Sequence, residues 1–235
     1  NINITHKVWK NPVMTLQTLE AKQQKTGTMV TAFYRMDSVQ ALLTLQYFIG
    51  ENGTIQVSQQ LQTNKKASTP NLFRFGMVMD LPYEMEKSVY YGRGPIENYP
   101  DRKLSQRIGR YEQMADDQFY PYIRPQETGT KGDMRWWKQT DRQGIGLKVV
   151  ADAPFYASAT HYTIPDVDDG DRKEQRHSYQ LKRSCFTELY LDGAHAGVGG
   201  IDSWSGWAEA LEPYQVKCED RAFTFWLLPT ETVGD

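Results

Sequence analysis

Hydrophobic and polar positions alternate through much of this chain with a period of two, which is typical of half-buried strands. The clearest case is the segment 54–61, where Ile55 and Val57 share one side and Gln56 and Ser58 share the other. Because successive side chains of a strand point to opposite faces, this segment predicts a strand with its apolar side toward a core, and Leu61 extends that side.

A hairpin is predicted around Glu51-Asn52-Gly53. These residues separate the apolar segment 41–49 from the segment 54–61, and Asn-Gly is the strongest short-range signal for a tight turn between antiparallel strands. The two segments are therefore expected to pair with each other.

Further segments rich in β-branched and aromatic residues also predict strands. They cover 28–36, 72–81, 88–91, 146–151, 156–162, 185–192, 214–218 and 222–228. Within 72–81, the side chains of Phe73, Phe75, Met77 and Met79 are expected on one face.

Other parts of the chain lack a strand pattern. Residues 99–142 contain several prolines and glycines and predict a long irregular region, which in a compact domain is usually functional or packed against a partner. Helix signals are limited to one or two turns within 166–176, interrupted by Gly170. Many antiparallel strands with little helix predict an all-β sandwich in which two large sheets face each other.

The composition fits one folded domain over residues 1–235. The hydrophobic share of 39% suffices for a core, and 27 basic against 29 acidic residues leave no basic stripe of the kind that nucleic-acid binding requires. No apolar run is long enough to span a membrane. The chain starts without Met, and we expect it to be a fragment of a larger protein.

The two cysteines, Cys185 and Cys218, are too few for a disulfide framework and lie in strand-like segments. Buried free thiols are favoured over a bridge. The composition leaves the compartment undecided.

No metal or cofactor is predicted within this chain. The acidic run 166–171 has its glycine at the fifth position, whereas a calcium-binding EF-hand loop needs it at the sixth, so a solvated loop is favoured. The histidines His6, His161, His177 and His195 lack metal-ligand spacing, which argues against a zinc site. His177 and His195 flank one predicted strand and are interpreted as structural.

Paired carboxylates can carry out glycoside hydrolysis, with one acid near the leaving oxygen and a second as nucleophile or base. Glu97 and Glu127 lie in ordered loops and Asp202 follows a Gly-Gly turn. Anchoring of loops through hydrogen bonds to backbone amides explains these carboxylates equally, and we favour that interpretation.

The glycine-rich segment 193–204 ends by presenting Trp204 between Ser203 and Ser205. An indole on a loop suits stacking on the apolar face of a sugar, and a core tryptophan at the sandwich end is the alternative. The residues alone leave both open. Trp136, Trp137 and Trp207 are further aromatic candidates, whereas Trp226 lies in an apolar strand and is expected in the core.

Three segments together resemble the small-chain domain of the glycoside hydrolase family 2 β-galactosidases. Residues 91–102 read Tyr-Gly-Arg-Gly-Pro-Ile-Glu-Asn-Tyr-Pro-Asp-Arg and closely resemble that family's most specific motif. Residues 121–129 resemble its Pro-Tyr-x-x-Pro-Gln-Glu-x-Gly segment, and 192–204 resemble its segment ending in Asp-Ser-Trp. The three occur in the family's order.

The resemblance implies a galactose-mutarotase-like supersandwich that is one domain of a larger, homo-oligomeric enzyme acting on galactosides. The catalytic glutamates and the Mg and Na sites would lie on a TIM barrel outside this chain. By the same resemblance, Trp204 forms an aromatic wall of the sugar site, and Asp202 and Ser203 fix its loop.

Other motif positions are implied to build loops rather than to do chemistry: Glu97, Asn98, Arg102, Glu127 and His195. One departure from the family pattern is Ala196-Gly197, where the family usually has an aromatic-Gly-Met stretch after the His. This difference implies an altered surface beside Trp204.

Two other functions stay open. An aldose 1-epimerase needs a general base and an acid at the anomeric centre, for which His177 with Glu127 is the candidate pair. A carbohydrate-binding module would use Trp204 with Trp136 or Trp137 as its platform.

Overall fold

A computed structural model describes residues 2–123, 126–168, 177–202 and 205–230. Strands dominate this part of the chain. They are β1 (Thr15–Gln24), β2 (Gly27–Met36), β3 (Ala41–Gly50), β4 (Ile55–Thr63), β5 (Arg74–Pro82), β6 (Lys87–Gly94), β7 (Arg107–Met114), β8 (Lys131–Thr140), β9 (Gly146–Thr160), β10 (Phe186–His195) and β11 (Arg221–Thr230).

Helices in the described part are short. The α-helical turns are α1 (Ile2–Thr5), α2 (Lys7–Lys10) and α3 (Ile164–Val167). Short 3-10 turns cover Asp37–Val39, Ala115–Gln118, Ser178–Gln180, Gly206–Ala208 and Glu212–Tyr214. No described helix is long and apolar enough to cross a membrane.

All eleven described strands pair antiparallel in one continuous network. Nine of them follow the order β1-β2-β3-β4-β11-β9-β8-β6-β7, and β10 and β5 branch from this path. The long strand β9 divides it. Its first part, from Gly146 to Ala151, pairs with β11, and its last part, from Tyr156 to Thr160, pairs with β10, which also pairs with β5. The all-β prediction is confirmed, and the strands expected in two large sheets form two branches joined through β9.

The core contains side chains from both branches, among them Leu189 on β10 and Val57 on β4. Trp137 and Tyr90 are fully buried and stack with ring centroids 4.7 Å apart, and Phe155 and Phe225 are buried with them. Trp137 is therefore a core residue, and its interpretation as part of a sugar-binding platform was wrong.

The predicted hairpin is confirmed. β3 and β4 pair from Ile49 with Ile55 onward, and Gly53 has a φ of 79°, a left-handed conformation that glycine adopts without strain. Val57 and Leu61 are buried on the core side.

Three strands escaped sequence-based prediction. Both faces of β1 are exposed, so it carries no apolar period. Strands β7 and β8 lie within 99–142, so the prediction of a long irregular region there was wrong. In β8 the buried positions include Lys131, Gln139 and Thr140, and polar residues inside the fold hide the hydrophobic pattern.

Other predictions need smaller corrections. The segment 214–218 is not a strand: it follows a 3-10 turn and pairs only at Val216 with Leu72. Phe73 precedes β5 and is exposed, whereas Phe75 is buried. The segments 146–151 and 156–162 belong to one strand, β9.

The helix predicted within 166–176 overlaps α3, which begins at Ile164 and ends at Val167, followed by Asp168 in an extended conformation. Residues 169–176 lie outside the described part. Both cysteines are free, as predicted, but Cys185 is exposed and Cys218 is partly exposed, so the prediction that both are buried was wrong.

Candidate functional site

Glu97 joins the first motif to the second. It lies in the loop after β6, and its buried carboxylate accepts hydrogen bonds from the Arg102 guanidinium at 2.5 Å, the Gly129 backbone N–H at 2.8 Å and the Tyr122 hydroxyl. Burial, followed by the hydrogen bond to Glu97, raises the pKa of Tyr122. With these donors around it, Glu97 is a structural anchor of two loops.

Asn98 stabilises the same loop through hydrogen bonds of its side chain. Its side chain is fully buried; the amide donates to the carbonyl oxygens of Arg93 at 3.1 Å and Ile96 at 3.0 Å. Its own oxygen accepts from the Gly132 backbone N–H at 2.9 Å. The side chain thus holds the loop in shape and attaches it to the start of β8.

Glu127 lies in a second polar cluster. Its carboxylate accepts from the hydroxyls of Thr130 at 2.7 Å and Tyr99 at 3.4 Å, and from the Arg74 guanidinium at 3.5 Å. Arg74 also donates to Asp192 on β10, through Nη2 at 2.5 Å and Nε at 3.0 Å. Glu127 is therefore held by several donors, as Glu97 is.

His195, at the end of β10, lies beside this cluster. Its Nε2 is 4.0 Å from Glu127 Oε1, and its Nδ1 is 2.7 Å from the Ala196 carbonyl oxygen. Burial, followed by the neighbouring charge of Arg74, lowers the pKa of His195, so the neutral imidazole with its proton on Nδ1 fits this contact. His177 instead stacks on Tyr179, with ring centroids 5.8 Å apart, and is not paired with Glu127 in the structure.

Asp101 joins the first motif to the glycine-rich third segment. Its carboxylate oxygens accept from the backbone N–H groups of Gly199 at 2.7 Å and Val198 at 3.2 Å. A Cβ at Gly197 would lie 2.6 Å from Asp101 Cγ, and one at Gly199 would lie 3.0 Å from Asp101 Oδ2. Both glycines therefore leave room for this carboxylate.

Asp202 organises the next turn of the third segment. Its carboxylate accepts from Ser205 twice, from the backbone N–H at 2.8 Å and from the hydroxyl at 2.5 Å. The Ile201 backbone N–H donates to the Trp207 carbonyl oxygen at 2.9 Å. Trp207 is exposed. Ser203 and Trp204 lie outside the described residues.

The described part of this region encloses little space. A cavity beside Arg74, Glu127 and Tyr190 measures about 10 Å³, which suffices for one water molecule and not for a sugar. Nor does the described part contain a group of three or more His, Cys, Asp or Glu side chains that could hold a metal ion.

The structure thus brings the three motifs to one region, with Glu97 linking the first to the second and Asp101 linking the first to the third. Asp101 and Arg74 were missed as site residues by sequence reasoning. The glycines Gly197 and Gly199 could have indicated that another group approaches this segment closely, because glycine leaves room for such an approach. That group is the Asp101 carboxylate. No comparable sequence feature indicates that Arg74 belongs to this region.

Comparison with known proteins identifies the family. A model of the family described as β-galactosidase small chain matches residues 3–227. This chain belongs to the β-galactosidase small chain family.

Relatives of this small chain carry the name β-galactosidase. A β-galactosidase of Lactobacillus delbrueckii subsp. bulgaricus is 34% identical over 175 residues, which are 74% of this chain and 16% of the relative. The β-galactosidase BgaC of Bifidobacterium adolescentis is 32% identical over 180 residues, 75% of this chain and 16% of the relative. The small chain spans about one sixth of the length of these relatives.

A likeness to solved structures concerns the fold of the small chain. The GH36 α-galactosidase AgaA of Geobacillus stearothermophilus, in a variant solved with raffinose, aligns with a TM-score of 0.50 and 10% identity. The alignment covers 94% of the small chain and 28% of that enzyme.

Proposed function

We propose that this small chain is the part of a glycoside hydrolase family 2 β-galactosidase that builds one wall of the galactose site and packs against a catalytic TIM barrel supplied by the rest of the protein. The complete enzyme would hydrolyse terminal β-D-galactosyl residues with retention of configuration. Family membership and the convergence of the three motifs support this proposal.

The observation that carries the proposal is the contact between Asp101 and the glycine-rich segment. A carboxylate bound to two successive backbone N–H groups holds residues 198 and 199 in place. Asp202 accepts the backbone N–H of Ser205. This support precedes Trp204 directly in the chain, and we assign Trp204 to stacking on the sugar, with Asp202 and Ser203 fixing its loop.

The arrangement around Glu97 and Glu127 favours a role in stabilising loops over a role in catalysis. Hydrolysis needs one carboxyl group beside the leaving oxygen and a second at the anomeric carbon. Glu97 and Glu127 each accept hydrogen bonds from several neighbours within the fold. We therefore assign the acid and the nucleophile, together with the Mg and Na sites, to the catalytic domain, and we expect the isolated small chain to be inactive.

The test compares three proteins with nitrophenyl β-D-galactoside as substrate: the intact protein, the 235-residue chain alone and the intact Trp204→Ala variant. We expect turnover by the intact protein, none by the chain alone and a KM raised at least about tenfold in the variant. Clear turnover by the pure chain would contradict the proposal, and so would a Trp204→Ala enzyme with unchanged kinetics.

A further inference from the structure

A cleft of about 450 Å³ lies on the sheet face opposite to the core, at the β3–β4 hairpin. Its lining includes the aromatic rings of Phe48 and Trp226 and the amide of Gln56. Small-molecule sites usually occupy about 300–1,000 Å³. The cleft is therefore large enough for a sugar, unlike the cavity beside Arg74.

The register of the strands explains why these three side chains meet. Phe48 on β3 is directly opposite Gln56 on β4, and Gln56 is opposite Trp226 on β11. Directly opposed side chains of antiparallel strands lie on one face, about 5 Å apart at Cβ. The adjacent positions Val57 and Phe225 point into the core, so this row faces outward.

The side-chain amide of Gln56 is available for hydrogen bonds to a ligand. Among the described residues, no hydrogen bond joins its side-chain amide or the Trp226 indole N–H to another group of the protein, and both residues are partly buried. The expected place of Trp226 in the core was therefore wrong, since its side chain is partly exposed on this face. An amide on a strand between two aromatic residues offers two donors and an acceptor to a ligand lying on those rings.

The rim of the cleft is polar and not basic. Glu51, Asn52 and Thr54 line it, and no Lys or Arg side chain does so among the residues that the structure describes. Anionic ligands are usually bound by Arg or Lys, so this lining does not suit a phosphate or a carboxylate. It suits a neutral ligand with an apolar face and many hydroxyl groups.

We propose that this cleft binds a saccharide, with one face of the pyranose ring on Trp226 and Phe48 and the ring hydroxyls on Gln56 and the hairpin. Aromatic rings supply apolar contact to the C–H groups of a sugar ring, and the amide and carboxylate groups satisfy its hydroxyls. The cleft shares no residue with the three motifs, so it is a second saccharide site beside the one assigned to Trp204.

The test measures binding of methyl β-D-thiogalactoside, which resists hydrolysis, to the intact protein by saturation-transfer NMR titration. All variants are made in the Trp204→Ala background, which weakens the first site. Gln56→Leu keeps the side-chain volume but removes the hydrogen bonds, and we expect it to raise the dissociation constant about fivefold or more. Trp226→Ala removes the platform, and we expect a loss of about tenfold or more.

Phe33→Ala is the matched control. Phe33 is an exposed aromatic residue on the same sheet face, opposite Thr44 and outside the cleft lining, and its removal should leave the dissociation constant unchanged. The inference is overturned if Gln56→Leu binds as tightly as Phe33→Ala, or if the Trp204→Ala protein shows no saturable binding. A wrong assignment of Trp204 has a different signature, because Trp204→Ala alone would then leave hydrolysis unchanged.

Discussion

Asp101 and Gly199 are 98 positions apart in sequence, yet the Asp101 carboxylate accepts the Gly199 backbone N–H at 2.7 Å. The same carboxylate also accepts a hydrogen bond from the Val198 backbone N–H. Its atoms occupy the space that a Cβ at position 197 or 199 would need. The most recognisable motif of the chain therefore supports the segment that leads to Trp204.

Removing this carboxylate should impair sugar binding more than folding. In Asp101→Asn, one backbone N–H faces an amide donor, and the charge-assisted hydrogen bonds are lost. Because the contact is exposed to water, the cost in stability is small, but the segment before Trp204 loses its support. We expect KM for nitrophenyl β-D-galactoside to rise roughly tenfold in the intact enzyme with little change in melting temperature.

Asp141→Asn is the control for that experiment. Asp141 also accepts two backbone N–H groups, from Gln143 at 2.8 Å and Ile145 at 2.9 Å, but in the turn between β8 and β9. The KM of the intact Asp141→Asn enzyme should stay at the wild-type value. Equal KM values for both variants would show that Asp101 has no special part in sugar binding.

Gly197→Ala should be destabilising because of Asp101. The new Cβ would lie 2.6 Å from Asp101 Cγ, so the carboxylate would have to move. Overpacking of this kind costs about 1–3 kcal/mol in the free energy of unfolding. Urea denaturation of Gly197→Ala, Asp101→Ala and the double variant measures the coupling between the two sites.

In the Asp101→Ala background the clash is absent, so adding Gly197→Ala should cost at least about 1 kcal/mol less than it does in the wild type. Strictly additive effects would mean that the glycine is required for another reason.

Glu97→Gln should weaken the link between the first two motifs. The side chain is buried among the Arg102, Tyr122 and Gly129 donors, and the amide group would place a donor against one of them. We expect a loss of about 2–3 kcal/mol in the free energy of unfolding, measured in urea. Glu112→Gln, whose exposed carboxylate pairs with Lys87, should change stability by less than about 0.5 kcal/mol. Similar losses in the two variants would argue against the anchoring role.

Lys131 should make stability depend on pH. Its ammonium is fully buried, donates to the Gly129 carbonyl oxygen at 2.8 Å and to Gln118 Oε1 at 3.1 Å, and has no carboxylate within 4.0 Å in the described part. Burial lowers the pKa of Lys131 to about 7, against an ordinary value of 10.5. Between these values the unfolded chain binds one more proton than the folded chain, so stability rises with pH.

From pH 7 to pH 9 the rise should be about 2 kcal/mol, and well below pH 7, where both states are protonated, Lys131 adds no slope. In Lys131→Met, urea denaturation at several pH values should show no such rise, together with higher stability at pH 7. If the variant retains the wild-type slope, another group is responsible.

The sequence predicted correctly those elements that a local pattern of side chains determines. The β3–β4 hairpin follows from Asn52-Gly53 and from alternation on both sides, and local turn chemistry determines it. Strand β8 was missed because Lys131 and Gln139 are buried and satisfied by distant groups, which a local pattern does not reveal. Strand β1 was missed because it contributes no side chain to the core.

By itself, the sequence determined the family, the all-β class and the three segments that matter, because motif residues and strand periodicity are local properties. Only the tertiary structure decided which residues meet. It placed Asp101 against Gly199, His195 rather than His177 beside Glu127, Trp137 in the core, and Phe48, Gln56 and Trp226 in one outward row. These contacts depend on strand register and on the branching of the sheet at β9, which join residues far apart in the chain.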